Sequence, residues 1–224
     1  MLIFWLIALL PPFLILYYFI KSDKFPEPAS LITKTFIIGL LICLPAGELN
    51  YYLIWLPEAN SGRDLSFIAG ITEESLKFLV LYFYIRQKTD FNEPMDAIVY
   101  GTLISLGFAS LENIQYVFSG ESNAESYFIG ILRAFTAIPM HAICGVIMGY
   151  YFASYIFFTK KYSLLIKSLL MPMFFHCTYN FLAGISFPLM LIFLVFMVRF
   201  GIAMHKEFVA IQKNKYFEEE SKSL

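Results

Sequence analysis

Seven apolar runs dominate this sequence, each near the roughly 20 residues a helix needs to cross the hydrocarbon of a bilayer. They lie at about 1–20, 30–56, 66–86, 96–118, 127–158, 163–184 and 186–206. Strands of an outer-membrane barrel would alternate in much shorter pieces. Hydrophobic residues make up 59% of the 224 and charged ones 15%, with a mean hydropathy of +0.68. A soluble fold of this length has too little interior for that load, and a disordered chain would not carry it. The sequence therefore predicts an all-α, polytopic membrane bundle of about seven transmembrane helices. One transmembrane domain covers 1–206, and a short, polar, mobile cytoplasmic tail covers 207–224.

The first run has no positive stretch before it and no small-x-small cleavage site after Ile20, so it reads as a span rather than a signal peptide. Pro11 and Pro12 should kink it. One set of loops holds Lys21, Lys24, Arg86, Lys88, Lys160 and Lys161, and the tail adds Lys206, Lys213, Lys215 and Lys222. The opposite set holds Arg63 beside Glu58, Asp64, Glu121 and Glu125. Lysine and arginine stay on the cytoplasmic side, which places the N-terminus outside and the C-terminus in the cytoplasm of a multi-pass plasma-membrane protein. No basic stripe with interleaved aromatics suggests nucleic acid, and no Gly-rich phosphate loop suggests a nucleotide cofactor. Cys43, Cys144 and Cys177 each sit in an apolar run and read as small packing residues.

Ionisable groups inside the spans are costly and so are functional candidates. The third span carries Glu73, Glu74 and Lys77; the fourth, Glu112; the fifth, Arg133 and His141; the sixth, His176 and Asn180. At 1.5 Å per residue, Glu73 and Glu112 lie roughly 10 Å, and His176 roughly 12 Å, from the outer ends of their helices. Three helices thus bring ionisable groups to one depth in the outer half of the membrane. The fifth run is too long for one straight span, and a break at Pro139 sets His141 near the outer edge and Arg133 at the interface. Glu73 and Lys77 are i,i+4 and can pair, while Glu74 points about 100° away, so one carboxylate is free for chemistry and the other tied up. Gly145 and Gly149 follow His141 at four-residue steps, the spacing that permits close helix contact. Glu48 and Arg199 stand alone and read as polar residues near span ends.

Carboxylates and imidazoles around a wet pocket suit hydrolysis, in which Glu and His hold a divalent metal and another Glu acts as base. Glu112, His141 and His176 are the candidate ligands. The same groups also suit proton or ion relay in a transporter, or a binding scaffold without catalysis. No inverted repeat with broken helices supports the transporter.

The motifs Glu73-Glu74-x-x-Lys77, Phe108-x-x-x-Glu112 followed by Asn113 and Tyr116, His141, and His176-x-x-x-Asn180 together resemble the PrsW proteases. So do Asp23-Lys24-Phe25-Pro26-Glu27-Pro28, Phe91-Asn92-Glu93-Pro94-Met95-Asp96 and the run from Gly101 to Phe108. The resemblance covers residues 17–184. It implies an intramembrane protease that makes the first, extracytoplasmic cut in a membrane-anchored, single-span anti-sigma factor of a stress-response pathway. The wider group with CAAX prenyl endopeptidases and bacteriocin-immunity proteins is similar in turn, with a histidine where this chain has Glu112. That comparison implies water activation by Glu73 with Glu112, and carbonyl binding by His176 and Asn180. It leaves open whether a divalent metal such as Zn2+ or a carboxylate pair drives the reaction, and it gives His141 no role.

Overall fold

The computed structural model describes residues 1–61 and 64–223, with side chains through Asn214. Arg63 and the side chains of Lys215 and Lys222, used above for orientation, lie outside the described residues. Nine α-helices follow one another among those residues. They are α1 (Leu2–Ser22), α2 (Ala29–Asn50), α3 (Leu56–Ser61), α4 (Ala69–Phe83), α5 (Pro94–Phe118), α6 (Asn123–Phe135), α7 (Ala137–Ala153), α8 (Tyr162–Ile185) and α9 (Phe187–Ser223). A π-turn at Tyr51–Trp55 joins α2 to α3, and another at Ser154–Phe158 extends α7.

Helix α5 is the axis of the bundle, buried almost continuously from Met95 to Ser110. It starts sharply because Pro94 suits the first helical turn and Glu93 and Asp96 cap each other's backbone in a reciprocal box. Small residues then let two helices pack close. A Cβ on Gly145 of α7 would lie 2.6 Å from the carbonyl oxygen of Gly101, and one on Gly149 would strike that of Ala97. This antiparallel seam, legible in the glycine spacing, carries His141 toward the C-terminal half of α5. On another face, a Cβ on Gly107 would strike the backbone of Phe36 in α2. The outer surfaces are apolar: Leu6, Leu10, Leu14, Leu41, Leu44, Ile192 and Phe196 are all exposed. A side chain that would be stranded in water is at home against lipid.

Among the described residues, five helical stretches are long and apolar enough to cross a membrane: 2–22, 29–61, 94–118, 123–158 and 187–214. Helix α4 has 15 residues and spans about 22 Å, short of a bilayer core; it gains length from 3₁₀ turns at Ser66–Ile68 and Ile85–Gln87. Helices α4 and α8, which carry Glu73 and His176, fall outside the set of five.

Two expectations shift. The break in the fifth run falls at Thr136, whose φ is −124° and ψ −73°, and not at Pro139. Pro139 cannot donate to the carbonyl of Phe135 and its ring crowds that oxygen, so the helix must end a turn earlier; the proline then sits in the first turn of α7, where no donor is needed. The segment after residue 206 also continues as helix α9. Phe208 and Gln212 are buried, and Phe208 stacks on Tyr150 with ring centroids 4.9 Å apart. Residues 207–214 therefore pack on the bundle and do not trail from it.

Candidate active site

The ionisable residues of α4, α5, α7 and α8 meet at the end of the bundle formed by the C-terminal halves of α5 and α8. Glu73, Glu112, Arg133, His141, His176 and Asn180 all line one cleft of about 580 Å³. Glu74 and Lys77 sit behind it, fully buried. The rings of His141 and His176 meet edge to face, with centroids 5.0 Å apart.

Lys77 organises the buried layer. Its Nζ donates to Oε1 of Glu74 at 2.7 Å, lies 3.7 Å from Oε2 of Glu73 and 3.1 Å from Nδ1 of His141. Its tight partner is thus Glu74 at i,i+3, with the i,i+4 contact to Glu73 the looser one. Both lie on the reach of a lysine folded back over its own helix, and Glu74 is fixed from its other side by His176. Nδ1 of His176 is 3.0 Å from Oε1 of Glu74.

Donor logic assigns both tautomers. A carboxylate only accepts, so His176 carries its proton on Nδ1 and leaves the lone pair on Nε2. That lone pair is 3.9 Å from Oε2 of Glu73, itself a buried atom with no hydrogen-bond partner. The Lys77 ammonium only donates, so Nδ1 of His141 accepts and Nε2 carries the proton. Nε2 then donates to Oε2 of Glu112 at 2.9 Å.

Glu112 is in turn held by Arg133, Nη2 to Oε2 at 2.7 Å. The break at Thr136 ends α6 just after Arg133 and frees it to turn inward. Its guanidinium stacks 4.1 Å over Tyr116, and its Nε donates to Oδ1 of Asn113 at 2.8 Å. Nδ2 of Asn113 donates to the carbonyl of Ala8 at 2.8 Å. That carbonyl is free because its helical partner would be the amide of residue 12, which is a proline. The carbonyl that Pro12 leaves open in α1 is therefore wired through Asn113 and Arg133 to Glu112. Asn113→Leu is expected to cost about 1–3 kcal/mol by orphaning the Ala8 carbonyl and the Arg133 Nε. Unfolding in mixed micelles measures it, and Asn113→Gln should recover part of the loss.

Asn180 reaches the cleft, but its Nδ2 donates to the carbonyl of Ser66 at 3.2 Å, tying α8 to the turn before α4. Asn50, absent from the sequence-derived candidates, is part of the site: its Nδ2 donates to Oε1 of Glu73 at 3.4 Å, and its Oδ1 accepts from Thr72. Its signal was an amide near the end of a mostly apolar run. Glu48 and Arg199 are exposed.

Ligand atoms of Glu73, His141 and His176 lie within 4.8 Å of one another, and all three residues are buried. The expected ligand trio had Glu112 in place of Glu73; here Glu112 is committed to Arg133. The fit to a borderline divalent cation is good at one edge. Oε2 of Glu73 and Nε2 of His176 are two acceptors facing each other, and an ion about 2.0–2.2 Å from each spans such a gap. The Glu74 carboxylate behind His176 is the usual orienting partner of a ligating imidazole.

Residues 27–204 match the family described as PrsW family intramembrane metalloprotease. The chain belongs to the PrsW protease family. It is 34% identical over 200 residues to Protease PrsW of Bacillus subtilis (strain 168), covering 87% of this chain and 89% of that protein. It is 35% identical over 171 residues to Protease PrsW of Geobacillus kaustophilus (strain HTA426), covering 75% and 74%. No solved structure matches. As a PrsW-family member it is an intramembrane protease and a multi-pass protein of the bacterial plasma membrane.

Proposed function

We propose that this protein is a site-1 endopeptidase: it makes the first cut in a single-span anti-sigma factor, near the outer boundary of the membrane. All seven apolar runs then span or enter the bilayer, with the N-terminus outside and the C-terminus in the cytoplasm. The observation that carries this reading is the uncommitted Oε2 of Glu73, buried in a polar cleft and facing the lone pair of His176. Groups so placed act on a water and a carbonyl.

In this reading Glu73 Oε2 takes the proton from the attacking water. Glu112 is held by Arg133 and His141, whereas Glu73 Oε2 accepts no hydrogen bond and is the carboxylate oxygen left to hold a water. His176 Nε2 helps to hold that water, its ring fixed by Glu74. Lys77 directs the Nε2 proton of His141 into the cleft, toward Glu112 and toward an oxygen that develops charge beside it. Tyr116, Trp55 and the start of α9 wall the cleft against lipid. A substrate helix must unwind to present its peptide bond, and a site near the helix ends lowers that cost because water can satisfy the freed backbone groups.

Glu73 and His176 would hold a divalent metal such as Zn2+, with His141 beside them as the third member of the buried trio. When bound, such an ion supplies Lewis-acid polarisation of the carbonyl and a lowered pKa for water.

The test is cleavage of an anti-sigma-factor-type single-span substrate in proteoliposomes, with metal content measured on the same sample. Cleavage near the outer boundary supports the reading. Failure to cut any such substrate, together with Glu73-dependent solute or ion binding, would favour a transporter. Orientation has its own check: a reporter fused after Leu224 should be active only in the cytoplasm.

A further inference from the structure

Two motifs that the cleft leaves unused, one around Asp23 and Glu27 and one around Glu93 and Asp96, meet at the other end of α5. Asp96 stands roughly 24 Å along that helix from Glu112. Asp23 and Glu27 come from the α1–α2 connection, Glu93 and Asp96 from the α5 cap, and Gln212 reaches in from α9. Carboxylate oxygens of Asp23, Glu93 and Asp96 lie within 4.8 Å of one another, and all three residues are buried.

The hydrogen bonds there use only part of this acidic set. Oδ2 of Asp96 accepts from the backbone amides of Asn92 and Glu93 at 2.7 and 2.8 Å. Oδ1 of Asp23 accepts from the amide of Phe25 at 3.0 Å and from Nε2 of Gln212 at 2.7 Å; the same Nε2 contacts Glu93. The Tyr100 hydroxyl donates to Glu27. The second oxygens, Oδ1 of Asp96 and Oδ2 of Asp23, are buried with no hydrogen-bond partner. Asp96 is completely buried. Among the described residues no lysine or arginine forms an ion pair with Asp23, Glu27 or Asp96. Buried carboxylate oxygens that neither donors nor cations reach carry a large desolvation penalty.

We propose that this cluster binds a hard divalent cation, Ca2+ or Mg2+, which clamps the α1–α2 connection to the start of α5, with α9 joined to both by the amide nitrogen of Gln212. The donors are all oxygen, the set that hard cations take, whereas the cleft at the opposite end offers imidazoles. An ion 2.3–2.6 Å from each ligand accommodates oxygen separations of up to about 5 Å. A cavity of about 450 Å³, lined by Phe25, Glu27, Asp90, Asn92 and Glu93, provides the way in. The site ties three segments far apart in sequence, so its ion acts on stability and packing rather than on the peptide bond.

The experiment uses chelator-treated full-length protein in phosphatidylcholine nanodiscs, which lack anionic lipid to compete for the ion. Ca2+ and Mg2+ are titrated separately, reading bound ion by calorimetry and Tm by intrinsic fluorescence. Saturable binding of about one ion per chain is expected, with a rise in Tm of at least about 3 °C. Asp23→Asn and Asp96→Asn should each weaken it at least tenfold, while Glu73→Gln leaves it unchanged. Asp96→Asn also weakens the helix cap; if that variant does not fold, Asp23→Asn decides. The proposal is overturned if neither ion binds saturably to the wild type, if Asp23→Asn binds as the wild type does, or if binding disappears with Glu73→Gln.

Discussion

Replacing Glu73 by Gln is expected to slow cleavage of a reconstituted single-span substrate by about 10²–10⁴-fold, the usual contribution of a positioned general base. In free energy this is about 3–5 kcal/mol of lost barrier reduction. The substitution keeps the size of the side chain and its ability to accept from Asn50, so the bundle should remain folded. What it removes is the acceptor strength of Oε2, the atom that no protein donor satisfies. Asp at this position is expected to recover little, because it withdraws the carboxylate by one methylene from His176 Nε2, already 3.9 Å away. Metal analysis of the same sample divides two roles. Loss of activity with the ion retained assigns Glu73 as base, and loss of both assigns it as a ligand. Equal rates for wild type and variant would remove Glu73 from the chemistry altogether.

Replacing Lys77 by Met is expected to destabilise the protein by about 3–5 kcal/mol, the cost of stripping one partner from a buried ion pair. Lys77 is fully buried and contacts Glu73, Glu74, His141 and the ring face of Phe108, with Nζ 4.3 Å from the ring centroid. Without it, the carboxylates of α4 lose their cation in a part of the bundle that water does not reach. Unfolding in mixed micelles, or the accumulated level of the protein in cells, reads the effect. The double variant Lys77→Met/Glu74→Gln removes the stranded charge and should recover most of the stability. It should not recover activity, because His141 loses the donor on Nδ1 that fixes its tautomer and His176 loses a full carboxylate. A single variant as stable as the wild type would mean that water enters this layer.

Much of the site was legible along the chain because a bilayer makes polar residues conspicuous. Glu73, Glu112 and His176 stood out at matched depth, and a cleft joins all three. The helical nature of the chain was fixed by the same solvent argument, since lipid leaves the backbone no partner but itself. Periodicity also located the α5–α7 seam through Gly145 and Gly149. Other features were harder to read. The spacing of Glu73 and Lys77 permitted a pair but could not reveal that Glu74 competes for the same ammonium with His176 behind it. Pro139 announced a break, and its ring chemistry, acting one turn back, put that break at Thr136.

By itself the sequence determined that the chain is an all-helical membrane protein, and it set Glu73, Glu112 and His176 at one level of it. Hydrophobicity and the 1.5 Å rise are local properties, so they can be read along a single strand of text. Only the tertiary structure decided which carboxylate is free. Glu74 is neutralised by Lys77 and held by His176, Glu112 is neutralised by Arg133, and Glu73 keeps one oxygen, 3.7 Å from Lys77, that accepts no hydrogen bond. Arg133 lies 21 residues from Glu112 and His176 lies 102 from Glu74, and a proline in α1 frees a carbonyl for Asn113. Hydrogen-bond competition is settled by three-dimensional proximity, which no spacing within one helix contains.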